Sequence, residues 1–392
     1  MRVLHIIPSY MPAYRYGGPI WSVHSLNKWL VKQGVDVTVY TTNIDGKGTL
    51  NVPTNTEALL DGVKVYYFPI TIRGWQYAHD LQKALAKNAG LFDVVHITSV
   101  FLSASSLGSY YAKKFKKPYI ISPRGSLMKE PLGKKSFKKT LYLSLLEKKN
   151  LQGASAIHFT TEMEKSEYLE ARLPLREGII IPNGFDPEEF DKAVEPGLFR
   201  KKYNIPQDKK IILFLSRISW KKGLDTLIPA FALVKARVPH AVLVLAGGDD
   251  EGYKKTVDQL IKKYNLEAAI CYTGMITSEL KVAAYKESSV FVLPSYSENF
   301  GTAILEALYA EVPVIITDVL PLASDIQNVN AGLVVKKDEH ALADAILKCM
   351  RDEEMRRTMG VNGKRFVLNN FNWQNIGERF IKEYTKLIET TL

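Results

Sequence analysis

Cysteine is nearly missing from this 392-residue chain: only Cys271 and Cys349 occur, far apart. Two such residues build neither a disulfide framework nor a cysteine zinc site, and they fit a reducing compartment. No run of 18 or more apolar residues is present, so no transmembrane helix is expected. The opening MRVLHIIP has too short an apolar run for a signal peptide and leads straight into a strand–loop–helix pattern, which points to a cytoplasmic protein. No repeat at a solenoid period and no low-complexity tract occurs, and the dinucleotide fingerprint G-x-G-x-x-G is missing. What remains is an ordinary globular composition, 46% hydrophobic and 24% charged, at a length that suits two domains.

Charge is uneven. The formal net charge is +11, and residues 110–150 supply most of it, with twelve Lys or Arg against Glu130 and Glu147. In this basic 113–149 segment Phe137, Leu141 and Leu145 repeat every four residues between lysine pairs. Such a helix can lie on an anionic membrane surface, or it can be the solvated face of a core helix; both readings stand. Nucleic acid is not expected as a partner, because no recognised binding module accompanies the charge.

Apolar runs alternate with segments of helical period along the whole chain. Strands are expected at Val3–Ile7, Val37–Thr41, Val63–Phe68, Val94–Ile97, Tyr119–Ser122, Ala156–Phe159 and Gly178–Ile181, with helices such as Trp21–Lys32 and Tyr77–Asn88 between them. A second series follows at Ile211–Ser216, Val242–Ala246, Ile270–Thr273, Val290–Leu293, Val312–Ile316 and Gly332–Val335. Alternation of this kind implies α/β architecture with parallel sheets covered on both faces, here in two doubly wound domains. The segment Ile181 to Gly197, rich in Pro, Gly and Asp, is the expected boundary, which divides the chain into 1–190 and 191–371. Residues 372–392 form an amphipathic helix with Trp373, Ile376, Phe380, Tyr384 and Leu387 on one face.

Three strand-to-helix loops carry candidate chemistry. After Val290–Leu293 comes Glu298, then Gly301, then a helix over Thr302–Tyr309 that contains Glu306. Read alone, two glutamates with seven residues between them are better explained as surface decoration. Their place at the carboxyl end of a strand, beside a helix N-terminus, is nevertheless where α/β sheets bind ligands and phosphate. After Ile211–Leu215 come Arg217 and Lys222, before a helix that starts near Gly223; they are either solvated loop charges or a pair that neutralises a diphosphate. After the first strand, Gly17-Gly18 allows a backbone to approach a ligand closely, or simply makes a turn.

Taken in order, the Gly17-Gly18 loop, DVVH at 93–96, IPNGFD at 181–186, Arg217 with Lys222-Gly223, and PSYSENFGTAILEAL at 294–308 resemble the retaining glycosyltransferases of family 4. The resemblance spans nearly the whole chain. It implies the GT-B fold: two Rossmann-like domains facing a cleft, with the C-terminal helix crossing back to the N-terminal domain. It also implies a UDP- or GDP-sugar donor held mainly by the C-terminal domain, and a glycan or lipid-linked acceptor held by the N-terminal one. By that resemblance Arg217 and Lys222 stabilise the leaving diphosphate, Glu298 with Asn299, Phe300, Gly301 and Thr302 holds the donor sugar, and Glu306 holds the ribose. Gly18 joins the donor site, and Gly17, Arg124 and His96 fall on the acceptor side or in the cleft. The implied reaction is front-face displacement with an α-linked product, in the assembly of a surface polysaccharide or glycolipid. The departing phosphate would help take the acceptor proton. No cofactor and no essential metal is expected, although Asp249-Asp250 alone could suggest one.

One departure from the pattern stands out. Many relatives carry a histidine where this chain reads SPRGSL, with Arg124 in its place. Arg124 is open to four readings: a contact to the donor sugar, to the acceptor or to a phosphate, or a loop cap. His96 in DVVHITS reads better as a packed residue at a strand end than as a cleft residue. Two rival functions remain: a GT-B epimerase converting a nucleotide sugar without acceptor, and a catalytically silent nucleotide-binding subunit. Intact Glu298, Glu306, Arg217 and Lys222 argue against the silent subunit.

Overall fold

A computed structural model describes residues 1–133, 142–249 and 252–391. They form two compact units, Met1–Gly184 with Trp373–Leu392, and Phe185–Asn372. The chain crosses at Gly184–Phe185, ahead of residue 190, because Phe185 and Phe190 are already buried in the second core.

The first unit contains β1 (Arg2–Ile6), β2 (Asp36–Thr42), β3 (Ile44–Asp45), β4 (Gly48–Thr49) and β5 (Glu57–Leu60). It continues with β6 (Val63–Phe68), β7 (Val94–Thr98), β8 (Tyr119–Ser122), β9 (Ala156–Phe159) and β10 (Gly178–Ile180). The main sheet runs β10-β9-β8-β7-β1-β2-β6-β5, parallel except for β5, which pairs antiparallel with β6; β3 and β4 form a separate small ladder. The second unit contains β11 (Lys210–Leu215), β12 (Ala241–Ala246), β13 (Ile270–Gly274), β14 (Val290–Leu293), β15 (Val314–Thr317) and β16 (Gly332–Val335). Its all-parallel order is β13-β12-β11-β14-β15-β16. Counted within the unit, this is the 3-2-1-4-5-6 order of doubly wound nucleotide-binding sheets, whose direction reverses between the first and fourth strands.

Every strand expected from the sequence is present, with ends shifted by at most two residues. The reason is burial, which on both faces makes a central strand such as β14 a fully buried, continuously apolar VFVL. The edge strand β5 and the β3–β4 ladder carry no such run and leave no comparable trace. The first helix begins at Gly18 rather than Trp21, since Gly17 adopts φ +74 before it and Pro19 fits the first turn.

The last helix, Trp373–Glu389, packs on the first unit and buries Ile376, Phe380, Tyr384 and Leu387. It comes so close to the helix Gly18–Lys32 that a Cβ on Gly377 would lie 2.0 Å from the Trp29 ring. Its Tyr384 also closes a buried polar chain. Ile181 O can only accept, so the proton of His158 lies on Nε2 (2.8 Å), and its Nδ1 accepts from the Ser122 hydroxyl at 2.7 Å. Ser122 Oγ then accepts from His96 Nε2 at 2.7 Å, and His96 Nδ1 accepts from the Tyr384 hydroxyl at 2.6 Å. A parallel chain runs from His5 Nδ1 to Asn27 Oδ1 (2.9 Å), from Asn27 to Tyr10 (3.2 Å), from Tyr10 to His24 (2.9 Å) and from His24 to Asp61 (2.8 Å). Burial lowers the pKa of His5 and of His158 to about 3 and that of His96 well below its usual value, so all three stay neutral.

Among the described residues no helix is long and apolar enough to cross a membrane. Lys113, Lys114, Lys116, Lys129, Lys148 and Lys149 of the basic segment are exposed. Lys134, Lys135, Phe137, Lys138, Lys139, Leu141 and Asp250 lie outside the described residues, as does the side chain of Leu145.

Tyr384→Phe keeps the ring packing but leaves His96 Nδ1 without a donor. The expected cost is about 1–3 kcal/mol in urea unfolding. An unchanged midpoint would show that the histidine chain does not help hold the last helix.

Candidate functional site

The second sheet reverses direction between β11 and β14, where Ile212 lies beside Val290 and Leu213 beside Phe291. The loops leaving the carboxyl ends of these two strands carry Arg217 and Lys222 on one side and Glu298 on the other. Backbone contacts clamp the loops together. The Tyr296 N–H donates to Lys221 O at 2.8 Å, and from the end of β15 the buried Thr317 hydroxyl steadies the second loop by donating to Ser295 O at 2.7 Å. Gly223 is essential to this contact, because its φ is +69 and a Cβ there would lie 2.0 Å from Pro294 O. The helix Leu224–Arg237 follows at once, anchored by buried Leu224, Leu227, Ile228, Phe231 and Val234.

In this frame Lys222 Nζ lies 2.6 Å from Glu298 Oε1, and the Ser295 hydroxyl donates to the same oxygen at 2.9 Å. The two charged side chains are only 13% and 12% exposed, so their attraction is stronger than that of a surface ion pair. Arg217 is exposed on the same loop as Lys222. Past Glu298 the buried Phe300 pins the loop, and Gly301, at φ +91, turns it into the helix Thr302–Tyr309. The first amides of that helix lack carbonyl partners within it and favour negative charge.

Glu306 lies one turn into this helix, and both of its carboxylate oxygens are engaged. Oε1 is 3.0 Å from Lys281 Nζ, and Oε2 accepts from the Tyr285 hydroxyl at 2.9 Å. Lys281 also reaches Glu189 Oε2 at 2.9 Å. Burial pulls the Lys281 ammonium down, but Glu306 and Glu189 outweigh it and leave its pKa above the usual value. Burial and then the Glu306 charge raise the Tyr285 phenol well above its ordinary value, so it stays a donor. Neither Lys281 nor Tyr285 was marked by the sequence motifs. Their one trace is a Lys and a Tyr four apart, hence on one face of the helix Ser278–Lys286.

The turn after β12 abuts the same edge: a Cβ on Gly247 would meet Ser216 O at 1.9 Å, and the Gly247 N–H donates to Gly274 O at 2.8 Å. Asp249 is occupied as a cap, accepting from the Tyr253 and Lys254 amides at 2.9 and 3.2 Å.

In the first unit the corresponding reversal lies between β1 and β7. The loop after β1 is tied down by an Arg15–Asp45 ion pair at 3.0 Å and by the Gly46 amide donating to Tyr16 at 2.8 Å. It ends at Gly17, whose φ of +74 suits glycine and around whose Cβ position there is open space. Arg124 follows β8 in a left-handed conformation, φ +53, that is uncommon for arginine. Its Nη1 donates to Asn183 Oδ1 at 2.5 Å, whereas its buried Nε has no partner. Burial lowers its pKa to about 10 against the opposing pull of Glu164, so it remains a cation at neutral pH. His96 does not belong to any open site. It is fully buried with both ring nitrogens bonded, because β7 is a central strand covered by the last helix. The structure thus brings together Arg217, Lys222, Asn299–Thr302 and both glutamates on one sheet edge, and leaves Gly17, Gly18 and Arg124 in the other unit.

The family profile described as "Glycosyl transferases group 1" matches residues 197–366, and the "Glycosyl transferase 4-like domain" profile matches residues 17–184. The chain belongs to the family 4 glycosyltransferases. Its two sheets are those of the GT-B fold. An uncharacterised glycosyltransferase of Methanocaldococcus jannaschii is 29% identical over 54% of this chain and 54% of its own length. The GDP-mannose-dependent alpha-(1-6)-phosphatidylinositol monomannoside mannosyltransferase of Mycobacterium tuberculosis is 27% identical over 58% and 60%. The chain therefore matches little more than half the length of these curated relatives. The fold match is full-length: Anabaena HepE, solved in complex with UDP-glucose, superposes with a TM-score of 0.79 at 18% identity, over 98% of this chain and all of that one.

Proposed function

We propose that this protein is a retaining glycosyltransferase that moves a sugar from a nucleoside diphosphate donor to a glycan or lipid-linked acceptor, forming an α-linkage. One observation carries the reading above the others: the cation–carboxylate contact between Lys222 and Glu298, built into the reversal point of a nucleotide-binding sheet. Lys222 and Arg217 suit a diphosphate that gains charge as it leaves, and Glu298 suits the hydroxyls of the donor sugar. Glu306, further along the helix, suits the ribose. The acceptor oxygen bonds to the anomeric carbon as the carbon–oxygen bond to phosphate breaks on the same face, and the leaving phosphate takes the acceptor proton. Two protein cations at the diphosphate make a metal ion unnecessary in this scheme. UDP-glucose bound to HepE and the GDP-mannose dependence of the mycobacterial relative support a nucleotide-sugar donor and leave uracil and guanine both in play.

In the first unit, Arg124 beside Asn183 and the open loop at Gly17 are assigned to the acceptor. The "phosphatidylinositol" in the relative's name, together with the exposed lysines of residues 113–149, supports an acceptor presented at an anionic membrane face of the cytoplasm. Liposome co-sedimentation tests this part. Binding to anionic vesicles at low salt that weakens as salt rises is expected, whereas indifference to lipid charge would remove it.

A donor screen with UDP- and GDP-sugars, followed by variants on the best donor, tests the chemistry. Glu298→Ala and Lys222→Ala should each lower transfer by roughly 10²–10³-fold with the fold intact, and EDTA should leave wild-type turnover unchanged. Near-normal transfer by either variant would remove the role assigned to that residue.

A further inference from the structure

Glu306 is not a lone carboxylate on a helix surface. Lys281 and Tyr285 lie one turn apart on the helix Ser278–Lys286, and each binds a different oxygen of Glu306, at 3.0 and 2.9 Å. A carboxylate held on both oxygens loses its freedom to rotate, yet each oxygen keeps acceptor capacity, because an ionised carboxyl has about four lone-pair sites. Tyr285 is fully buried and stays protonated, so it donates and never repels. Lys281 is held from its far side by Glu189 at 2.9 Å, and its ammonium lies 5.5 Å from the centre of the Phe190 ring. Glu189 and Phe190 belong to the short segment just past the crossing at Gly184–Phe185. Within this trio one ammonium faces two carboxylates. The excess negative charge suits hydroxyl donors and disfavours phosphate.

We propose that Lys281 and Tyr285 are positioning residues that fix the Glu306 carboxylate for a pair of ribose hydroxyls, and that Glu189 holds Lys281 in register. The proposal rests on the ribose role given to Glu306 above, and the experiment separates the two.

Isothermal titration measures the affinity of the full-length protein for UDP and for 2′,3′-dideoxy-UDP, or for the guanine pair if GDP binds better. Wild type is expected to prefer the ribonucleotide by roughly tenfold or more, since hydrogen bonds to a charged group are the strong ones. If it shows no preference, the ribose role of Glu306 fails. In Lys281→Met and in Tyr285→Phe the preference should fall several-fold, and the donor KM should rise by a larger factor than kcat falls. A wild-type preference that survives in both folded variants overturns the positioning role and leaves the Glu306 assignment standing. Should Lys281→Met not fold, Tyr285→Phe alone decides, because it removes one hydroxyl and retains the ring. Glu189→Gln gives a graded readout: a partial loss of preference is expected, and full wild-type preference removes its part in the proposal.

Discussion

The contact between Lys222 and Glu298 depends on how closely two loops can approach at Gly223. The backbone there takes φ +69, and any side chain would collide with the Pro294 carbonyl. Because the approach is allowed, the loop after β11 lies against the loop after β14, and the Tyr296 amide can reach Lys221 O. That register delivers Lys222 to Glu298. The wall is made of backbone on both sides, so little relaxation is available, and the loops that carry the charges are set in register. With the loops already in register, the two side chains need only exchange partners, and no loop has to be assembled, to meet a leaving diphosphate.

The Lys222–Glu298 contact is better understood as a poised state than as a stabilising bond. A partly buried ion pair gains Coulomb energy but loses hydration, so its net worth to folding is small. A nucleotide sugar can satisfy both partners separately, phosphate oxygens taking the ammonium and sugar hydroxyls the carboxylate. Exchange of one set of partners for the other keeps every buried charge compensated, which keeps the energetic cost of opening the pair low. Glu306 is built differently. Its lysine and tyrosine hold it from one rigid helix, and they need not leave for a hydroxyl to bind.

The parts of the fold that depend on burial were legible in the sequence. Parallel strands such as Val290–Leu293 are apolar on both faces, and the apolar stripe of the last helix, Ile376 to Leu387, is the face it buries. The Glu298 and Glu306 loop and the Arg217 and Lys222 loop could also be placed at strand ends, because glycine and proline punctuate them. What could not be read was partnership. Whether His96 faces a ligand or a protein donor depends on the order β8-β7-β1 and on a tyrosine 288 residues away. Lys281 looked like any helix lysine, since its two carboxylates come from residues 189 and 306. The crossing at Gly184 was hidden in a Pro- and Gly-rich segment whose composition marks a linker but not the residue where one core begins.

If the loops after β11 and β14 form one donor site, the resting Lys222–Glu298 ion pair opens for a nucleotide sugar. A crystal structure of the protein with an unhydrolysed nucleotide-sugar analogue tests it most directly. The expected result is that the Lys222 Nζ leaves Glu298 Oε1, 2.6 Å away in this structure, for a phosphate oxygen, while Glu298 turns to the sugar hydroxyls. A bound nucleotide with the Lys222–Glu298 contact intact and the diphosphate elsewhere would contradict it.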